Sequence, residues 1–94
     1  MGQERTLSLV IPAKDEEANI ATLLTEAYGV MRDYHGFEVV LVDDGSTDNS
    51  WQGIRDISSD NHNFKGIRFN RNYGKSAALN TGFKAAIGDV VITM

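Results

Sequence analysis

Residues 39–48 read VVLVDDGSTD, an apolar run that ends on two adjacent acids and a turn. A continuous run of valine and leucine is typical of a strand that is buried on both faces of a parallel sheet. Two carboxylates at the end of such a strand must meet water, a cation or hydrogen-bond donors, because burying them unpaired is too costly. In open α/β sheets, ligands bind outside the carboxyl ends of the strands. This stretch therefore predicts both an architecture and a site.

Strands and helices are predicted to alternate along the rest of the chain. Short apolar stretches predict strands at residues 7–11, 37–42, 66–69 and 90–94, the first closed by Pro12. Three helices are predicted between them from apolar residues at helical spacing, namely Ile20, Leu23, Leu24, Ala27 and Met31, then Trp51 and Ile54, then Leu79, Phe83, Ala86 and Ile87 with Gly88 as the stop. The order β-α-β-α-β-α-β predicts an α/β fold with a doubly wound, mostly parallel sheet of strand order 3-2-1-4.

Length and composition fit one ordinary globular domain. The chain has 94 residues, of which 41% are hydrophobic and 23% charged. Its net charge of −4 argues against nucleic-acid binding, which needs a basic face, but allows a small anion held by a few local donors. The sequence has no cysteine, so disulfides and thiolate metal sites are excluded.

The acid pair is the first group of candidate site residues, in one of three loops predicted to meet at the carboxyl edge of the sheet (residues 12–17, 43–48 and 70–75). We expect one acid to hold backbone N–H groups of the turn and the other to bind a ligand. Asp44 is the later and more outward of the two, so the ligand role is assigned to it and the structural role to Asp43.

Cationic and glycine residues in the third loop form the second group. Gly74 permits close approach of the backbone, and free N–H groups at the start of the third helix suit an anion, although no Walker pattern is present. Lys75 could neutralise a diphosphate there. Arg71 could pair with a phosphate or with Asp44, and a surface ion pair of little energetic weight is the alternative. In the first loop, Glu16 could bond to a sugar or base, or support the helix dipole.

Three segments in this order resemble glycosyltransferase family 2, whose members have the GT-A nucleotide-sugar transferase fold. They read LVIPAKDEE at residues 9–17, VDDGSTD at 42–48 and NYGKSAALNTGF at 72–83, and the predicted last strand follows them. The sequence looks most similar to the branch that transfers sugars to dolichol or polyprenyl phosphates. The resemblance covers nearly the whole chain and implies an incomplete GT-A domain.

The resemblance also implies roles for the candidate residues. Around the base and ribose it places Pro12, Lys14, Glu16 and the Asp43-Asp44 pair, and around the nucleotide and its diphosphate Arg71, Gly74 and Lys75. One departure concerns Lys14 and Asp15, which stand where the family often has an aromatic residue followed by asparagine. Base stacking from that position is therefore not expected.

The implied activity of the parent protein is inverting transfer of a sugar from a nucleotide-diphosphate sugar to a polyprenyl phosphate or a glycan. It is expected in the cytoplasm, or on the cytoplasmic face of a membrane through segments outside this chain. In the family, an Asp-x-Asp motif follows the last of these strands and holds Mg²⁺ or Mn²⁺, which stabilises the leaving diphosphate. The chain ends at Met94, before such a motif. Residues 1–94 are thus expected to be a truncated, nucleotide-binding portion without catalytic or metal-binding residues.

Two alternatives to the transferase hypothesis come from other functional classes. A receiver-type phospho-acceptor module also has an acid pair at a strand end, but its pair follows the first strand, whereas this pair follows the second. A non-catalytic, self-associating fragment is compatible with the family resemblance, because open strand edges invite pairing, and we expect the isolated chain to form homo-oligomers. A dinucleotide-binding domain is disfavoured, since no G-x-G-x-x-G follows the first strand.

Overall fold

Four strands alternate with three α-helices, as the sequence predicts. The structure, a computed structural model, describes residues 6–34 and 36–93. The strands are β1 (Thr6–Ala13), β2 (Gly36–Asp43), β3 (Phe64–Arg68) and β4 (Val90–Thr93). The helices are α1 (Ile20–Met31), α2 (Ser50–Asp60) and α3 (Lys75–Ala85), and a short 3-10 turn at Glu17–Asn19 precedes α1. Met94, where the predicted fourth strand ends, lies outside the described residues.

The sheet is parallel and has the order β3-β2-β1-β4. Strand β1 pairs with β2 along its whole length, and its first half pairs with β4 from Leu7↔Val90 to Val10↔Thr93. The order 3-2-1-4 is therefore confirmed. The carboxyl ends of β1, β2 and β3 meet at one edge of the sheet, beside the point where the strand order reverses between β1 and β4.

The two central strands are buried on both faces, which explains their continuous apolar sequences. One face packs against α1 and α2 and includes Leu7, Leu9, Ile11, Val39, Leu41, Ala27, Met31 and Ile54. The opposite face packs against α3 and is smaller, with Val10, Val40, Val42 and Ala78. Burial on both sides fixes the register of β1 and β2, because a shift by one residue would exchange the two faces.

Strand β1 continues through Pro12 to Ala13, so the predicted end at residue 11 is wrong. Successive residues of a parallel strand direct their backbone groups to opposite neighbours. The carbonyl of Ala13 accepts a hydrogen bond from Asp44 N on the β2 side at 2.8 Å, so Pro12 faces the β4 side. Among residues 6–34 and 36–93, the pairing of β1 with β4 runs from Leu7 to Val10, so Pro12 interrupts no described ladder bond.

Helix α3 ends at Ala85, earlier than the predicted stop at Gly88. Ala86 is already extended, with φ −72° and ψ 137°. Phe83 and Ile87, predicted to lie on the buried face of the helix, are 45% and 80% exposed. Hydrogen bonds to side chains of the sheet hold Ile87 and Gly88 and thereby replace a further helical turn.

Glu38, a buried residue of β2, holds the segment between α3 and β4 through its carboxylate. Its Oε2 accepts hydrogen bonds from Ser8 Oγ at 2.5 Å and from Ile87 N at 2.7 Å, and its Oε1 forms an ion pair with Lys65 Nζ at 2.7 Å. The Ser8 hydroxyl oxygen in turn accepts a bond from Gly88 N at 2.7 Å. Burial opposes ionisation of Glu38, but Lys65 and the hydrogen bonds outweigh it and lower its pKa.

Replacing Glu38 by glutamine is expected to reduce the stability by about 1–2 kcal/mol at pH 7, because charge-assisted bonds become neutral ones. The Glu38 pKa is lower in the folded chain than its ordinary value of 4.5. Its contribution is therefore complete above that pH and is lost as the pH falls through the lowered pKa. Urea unfolding measures the free energy of unfolding of both chains from pH 7 to pH 3. The difference between Glu38→Gln and the unmodified chain should become smaller as the pH falls. Equal losses in Glu38→Gln and in Glu26→Gln, an exposed residue of α1, would contradict this role.

Candidate functional site

The loops after β1 and β2 are fastened to each other by hydrogen bonds between side chains and backbone. Asp15 has a left-handed backbone, φ 52°, a conformation that aspartate tolerates better than most residues. Its N–H donates to Ser46 Oγ at 2.8 Å, and its Oδ1 accepts from Thr47 N at 2.7 Å. Next along the loop, Glu16 N donates to Ser50 Oγ at 2.7 Å. The two loops therefore form one unit at the edge of the sheet.

Asp44 joins this unit to the loop after β3. Its carboxylate accepts hydrogen bonds from Tyr73 N at 2.8 Å, Gly74 N at 3.0 Å and Asn72 Nδ2 at 3.0 Å. The carboxylate is buried, with only 4% of the residue exposed. Two of the backbone donors predicted to bind an anion before α3 are thus occupied by the protein's own carboxylate.

Asp43 closes the turn after β2. It is fully buried, and its Oδ1 accepts a bond from Ser46 N at 3.0 Å. Its Oδ2 is buried without a hydrogen-bond partner in the part of the chain that the structure describes. Gly45 follows with φ 73°, a conformation natural to glycine, and the backbone of Arg71 and Asn72 lies directly against it.

A cavity of about 330 Å³ opens at this edge, above the end of β1. Its lining consists of Ile11, Pro12, Ala13, Lys14, Glu16, Leu23, Asp44 and Lys75. We call it the first cavity. Its apolar residues suit a flat, weakly polar group, and two ammonium groups and two carboxylates suit a ligand that carries both negative charge and hydrogen-bond donors.

Five of the eight residues selected from the sequence line the first cavity: Pro12, Lys14, Glu16, Asp44 and Lys75. The structure places the other three elsewhere. Asp43 is buried beneath the turn, Gly74 is held by Asp44, and Arg71 lines a second cavity of about 640 Å³ together with Lys14 and Arg68. Arg68 is not among the residues selected from the sequence, although it lies at the end of a strand.

Lys14 stands at the rim of both cavities as half of an ion pair. Its Nζ lies 2.9 Å from Asp15 Oδ2. The bond from Lys14, with a further one from the Thr47 N–H, lowers the pKa of Asp15 to about 2, and Asp15 in turn raises the pKa of Lys14. Both groups are therefore charged at neutral pH, and the Lys14 side chain lines both cavities while it is paired with Asp15.

Acidic residues are numerous at this edge but do not form a metal site. Among residues 6–34 and 36–93, no group of three or more histidine, cysteine, aspartate or glutamate side chains could hold a metal ion. The oxygens of Asp44 and one oxygen of Asp43 are engaged by N–H donors instead. The residues present therefore do not fit a divalent cation. In the same ranges, no helix is both long and apolar enough to cross a membrane.

The sequence from residue 8 to residue 94 matches the family model described as glycosyl transferase family 2. The chain belongs to glycosyltransferase family 2. A curated relative is the undecaprenyl-phosphate 4-deoxy-4-formamido-L-arabinose transferase of Aeromonas hydrophila, which is 40% identical over 92 residues. The match covers 96% of this chain and 28% of the relative. The family resemblance is confirmed.

Solved structures of glycosyltransferases have the same fold over this region. S. aureus TarS 1-349 in complex with UDP-GlcNAc matches with a TM-score of 0.77 and 30% identity, over 95% of this chain and 26% of that one. The mannosyltransferase PcManGT from Pyrobaculum calidifontis, in complex with GDP-Man and Mn²⁺, matches with a TM-score of 0.75 and 28% identity, over 90% and 25%. The GT-A fold is thereby confirmed. The family 2 chain described here spans about a quarter of the length of these proteins.

Proposed function

We propose that this chain is the nucleotide-binding part of an inverting glycosyltransferase that moves a sugar from a nucleotide-diphosphate sugar to a polyprenyl phosphate. The observation that carries the proposal is the convergence of Lys14, Glu16, Asp44 and Lys75 around the first cavity, beside the reversal of strand order. Family membership and the names of the relatives support the donor and acceptor classes.

The first cavity offers a different partner to each portion of a nucleotide. Its apolar surface, which includes Ile11 and Leu23, accommodates the base, and Glu16 accepts hydrogen bonds from ribose hydroxyls. Lys75 lies at the first position of α3, where its ammonium and the helix dipole both favour a diphosphate. The base, the ribose and the diphosphate thus each face residues of a different chemical character in the first cavity.

Asp44 retains capacity for a ligand although it is buried. A carboxylate has about four lone-pair sites, and four hydrogen bonds from three donors reach it here, the longest being the second bond from Gly74 N at 3.3 Å. An N–H group of a base can take the place of that longest bond without displacing the loop. We propose that Asp44 has both roles, holding the loop before α3 and accepting a hydrogen bond from the base.

The remaining requirements of glycosyl transfer are proposed to be met outside this chain. A divalent metal supplies Lewis acidity at a leaving diphosphate when it is bound, but the described residues do not fit one. We propose that its ligands belong to the part of the relatives' length that this chain does not span. A lipid phosphate acceptor is already an anion, so it needs no general base from these loops.

The acceptor class suggests where the parent protein acts. A polyprenyl phosphate is a membrane lipid and a nucleotide sugar is a soluble donor, so the two meet at a membrane surface. We propose the cytoplasmic face of the membrane. Self-association of the chain through open strand edges stays a prediction.

Titration calorimetry with UDP and GDP tests the proposed site in this 94-residue chain. We expect one nucleotide to bind, and Lys75→Gln to weaken that binding roughly tenfold, because a charge-assisted contact to phosphate is lost. Lys84→Gln removes the same charge from the exposed end of the same helix and should leave the affinity unchanged. Mn²⁺ should add little affinity, since the described residues form no cation site. Equal weakening by both lysine variants, or sugar transfer by this chain with Mn²⁺, would contradict the proposal.

A further inference from the structure

The second cavity, of about 640 Å³, lies between the loop after β2 and the segment after β3. The residues of its lining that matter here are Lys14, Ser46, Thr47, Arg68 and Arg71. They belong to the carboxyl ends of β1, β2 and β3, the edge at which ligands of open α/β sheets bind. Neither arginine lines the first cavity, so this is a separate space with its own charged groups.

The lining of the second cavity carries a net positive charge, although the chain as a whole has a net charge of −4. Three cationic side chains and, among the described residues, no acidic ones contribute to it. Lys14 is paired with Asp15, but no carboxylate of the described ranges lies within 4.0 Å of the guanidinium of Arg68 or of Arg71. Two like charges thus face a common space without a counter-ion, an arrangement that an oxyanion would stabilise.

Each of the two guanidinium groups lies near an aromatic ring. The Cζ atom of Arg71 lies 4.8 Å from the centre of the Tyr73 ring, and that of Arg68 lies 5.8 Å from the centre of the Trp51 ring. A guanidinium that lies over an aromatic face keeps its in-plane N–H groups free for a planar, two-point contact with an oxyanion. The N–H donors of Arg68 and Arg71 are therefore available to a ligand.

A hydroxyl group adds a neutral donor to these charges. The Ser46 oxygen already accepts a hydrogen bond from Asp15 N at 2.8 Å, so its proton remains available to donate into the cavity. Guanidinium groups together with a hydroxyl donor are the groups that commonly bind phosphate in proteins. Their number and charge fit a phosphate group with two negative charges better than a carboxylate with one.

We propose that the second cavity binds a phosphate group, either free phosphate or the phosphomonoester headgroup of a lipid. This inference rests on the proposed function, which assigns the nucleotide of the donor to the first cavity, and it departs from the family resemblance, which places Arg71 beside the donor's diphosphate. The phosphate in the second cavity therefore belongs to another molecule. Lys14, which lines both cavities, lies between the two anions.

The test is a titration of the ¹⁵N-labelled chain with inorganic phosphate at constant ionic strength, followed by amide resonances. We expect shifts at Ser46, Thr47 and Arg71, and none at Leu23, which lines the first cavity. A second arm measures binding to phosphatidylcholine vesicles with and without phosphatidic acid, whose headgroup is a phosphomonoester. Binding in the first arm identifies a soluble phosphate, and binding in the second arm alone identifies a lipid headgroup.

Two double variants test whether the binding seen in either arm depends on the arginines of the second cavity. Arg68→Gln with Arg71→Gln should weaken phosphate or vesicle binding by roughly tenfold or more, because two charge-assisted contacts are lost. Arg55→Gln with Lys84→Gln removes the same charge from exposed positions on α2 and α3 outside the cavity, and should change binding less than twofold at moderate salt, since distant charges are screened. Equal weakening by the two double variants, shifts confined to the first cavity, or no binding in either arm would overturn the proposal.

Discussion

Replacing Gly45 by alanine is expected to destabilise the chain by about 3 kcal/mol or more, which is a large part of the stability of a small domain. The left-handed backbone, φ 73°, is unfavourable for alanine. The added Cβ would also lie 2.3 Å from the carbonyl carbon of Arg71 and 2.4 Å from the nitrogen of Asn72. Both neighbours are backbone atoms, so no side-chain rotation relieves the overlap. The loop after β3 would have to move away from Asp44.

Urea unfolding of Gly45→Ala measures this loss, and Gly29→Ala is the matched control. Gly29 lies in α1, and a Cβ added there would have no neighbour within 4 Å. In that position the same change should stabilise the chain by roughly 0.5–1 kcal/mol, because alanine has the higher helix propensity. Similar unfolding midpoints for the two variants would contradict the prediction, because they would show that the backbone of Arg71 and Asn72 can move to accommodate a Cβ at Gly45.

The second large effect is expected for Asp44→Ala, which should cost about 2–4 kcal/mol and abolish nucleotide binding. The change leaves the Tyr73 and Gly74 N–H groups without their acceptor and frees the loop that precedes Lys75. It also removes the carboxylate proposed to bond to the base. Stability and affinity should therefore fall together.

Unfolding by urea and calorimetry with the bound nucleotide measure the two consequences separately. Asp33→Ala, which removes an exposed acid in the turn after α1, is the control and should change neither quantity by a measurable amount. Asp44→Asn keeps the size of the side chain but replaces one acceptor oxygen by an NH₂ group, which cannot accept a hydrogen bond from an N–H donor. Its stability should therefore lie between those of the unmodified chain and Asp44→Ala. Full nucleotide affinity in Asp44→Ala would remove Asp44 from the proposed site.

Sequence reasoning predicted the sheet because the continuous apolar runs of β1 and β2 are a local property of strands that are buried on both faces. It also predicted which loops meet, since the carboxyl ends of parallel strands lie at one edge. The place of Arg71 could not be predicted in this way. It depends on the Asp44 carboxylate binding Tyr73 and Gly74, which are about thirty residues away and carry no sequence signal of that contact.

The early end of α3 was missed for a related reason. Apolar spacing predicts a helix that includes Ile87, but the N–H of Ile87 bonds to Glu38, which is distant in the sequence. A local pattern gives the tendency of a segment to be helical, whereas its last turn is decided by which acceptors the rest of the fold presents. Polar side chains that are buried within strands, such as Glu38 and Ser8, are the residues at which such contacts should be sought.

The loops fastened by Asp15 and Asp44 bear on the thermodynamics of ligand capture. Because their backbone is already held by internal bonds, the rim has few conformations left to lose when a molecule arrives. The conformational entropy lost on binding then comes mainly from the ligand and from the long, flexible side chains of the lysines. We therefore expect the ligand to bind to a preorganised site at this edge, with little change in the backbone of the loops.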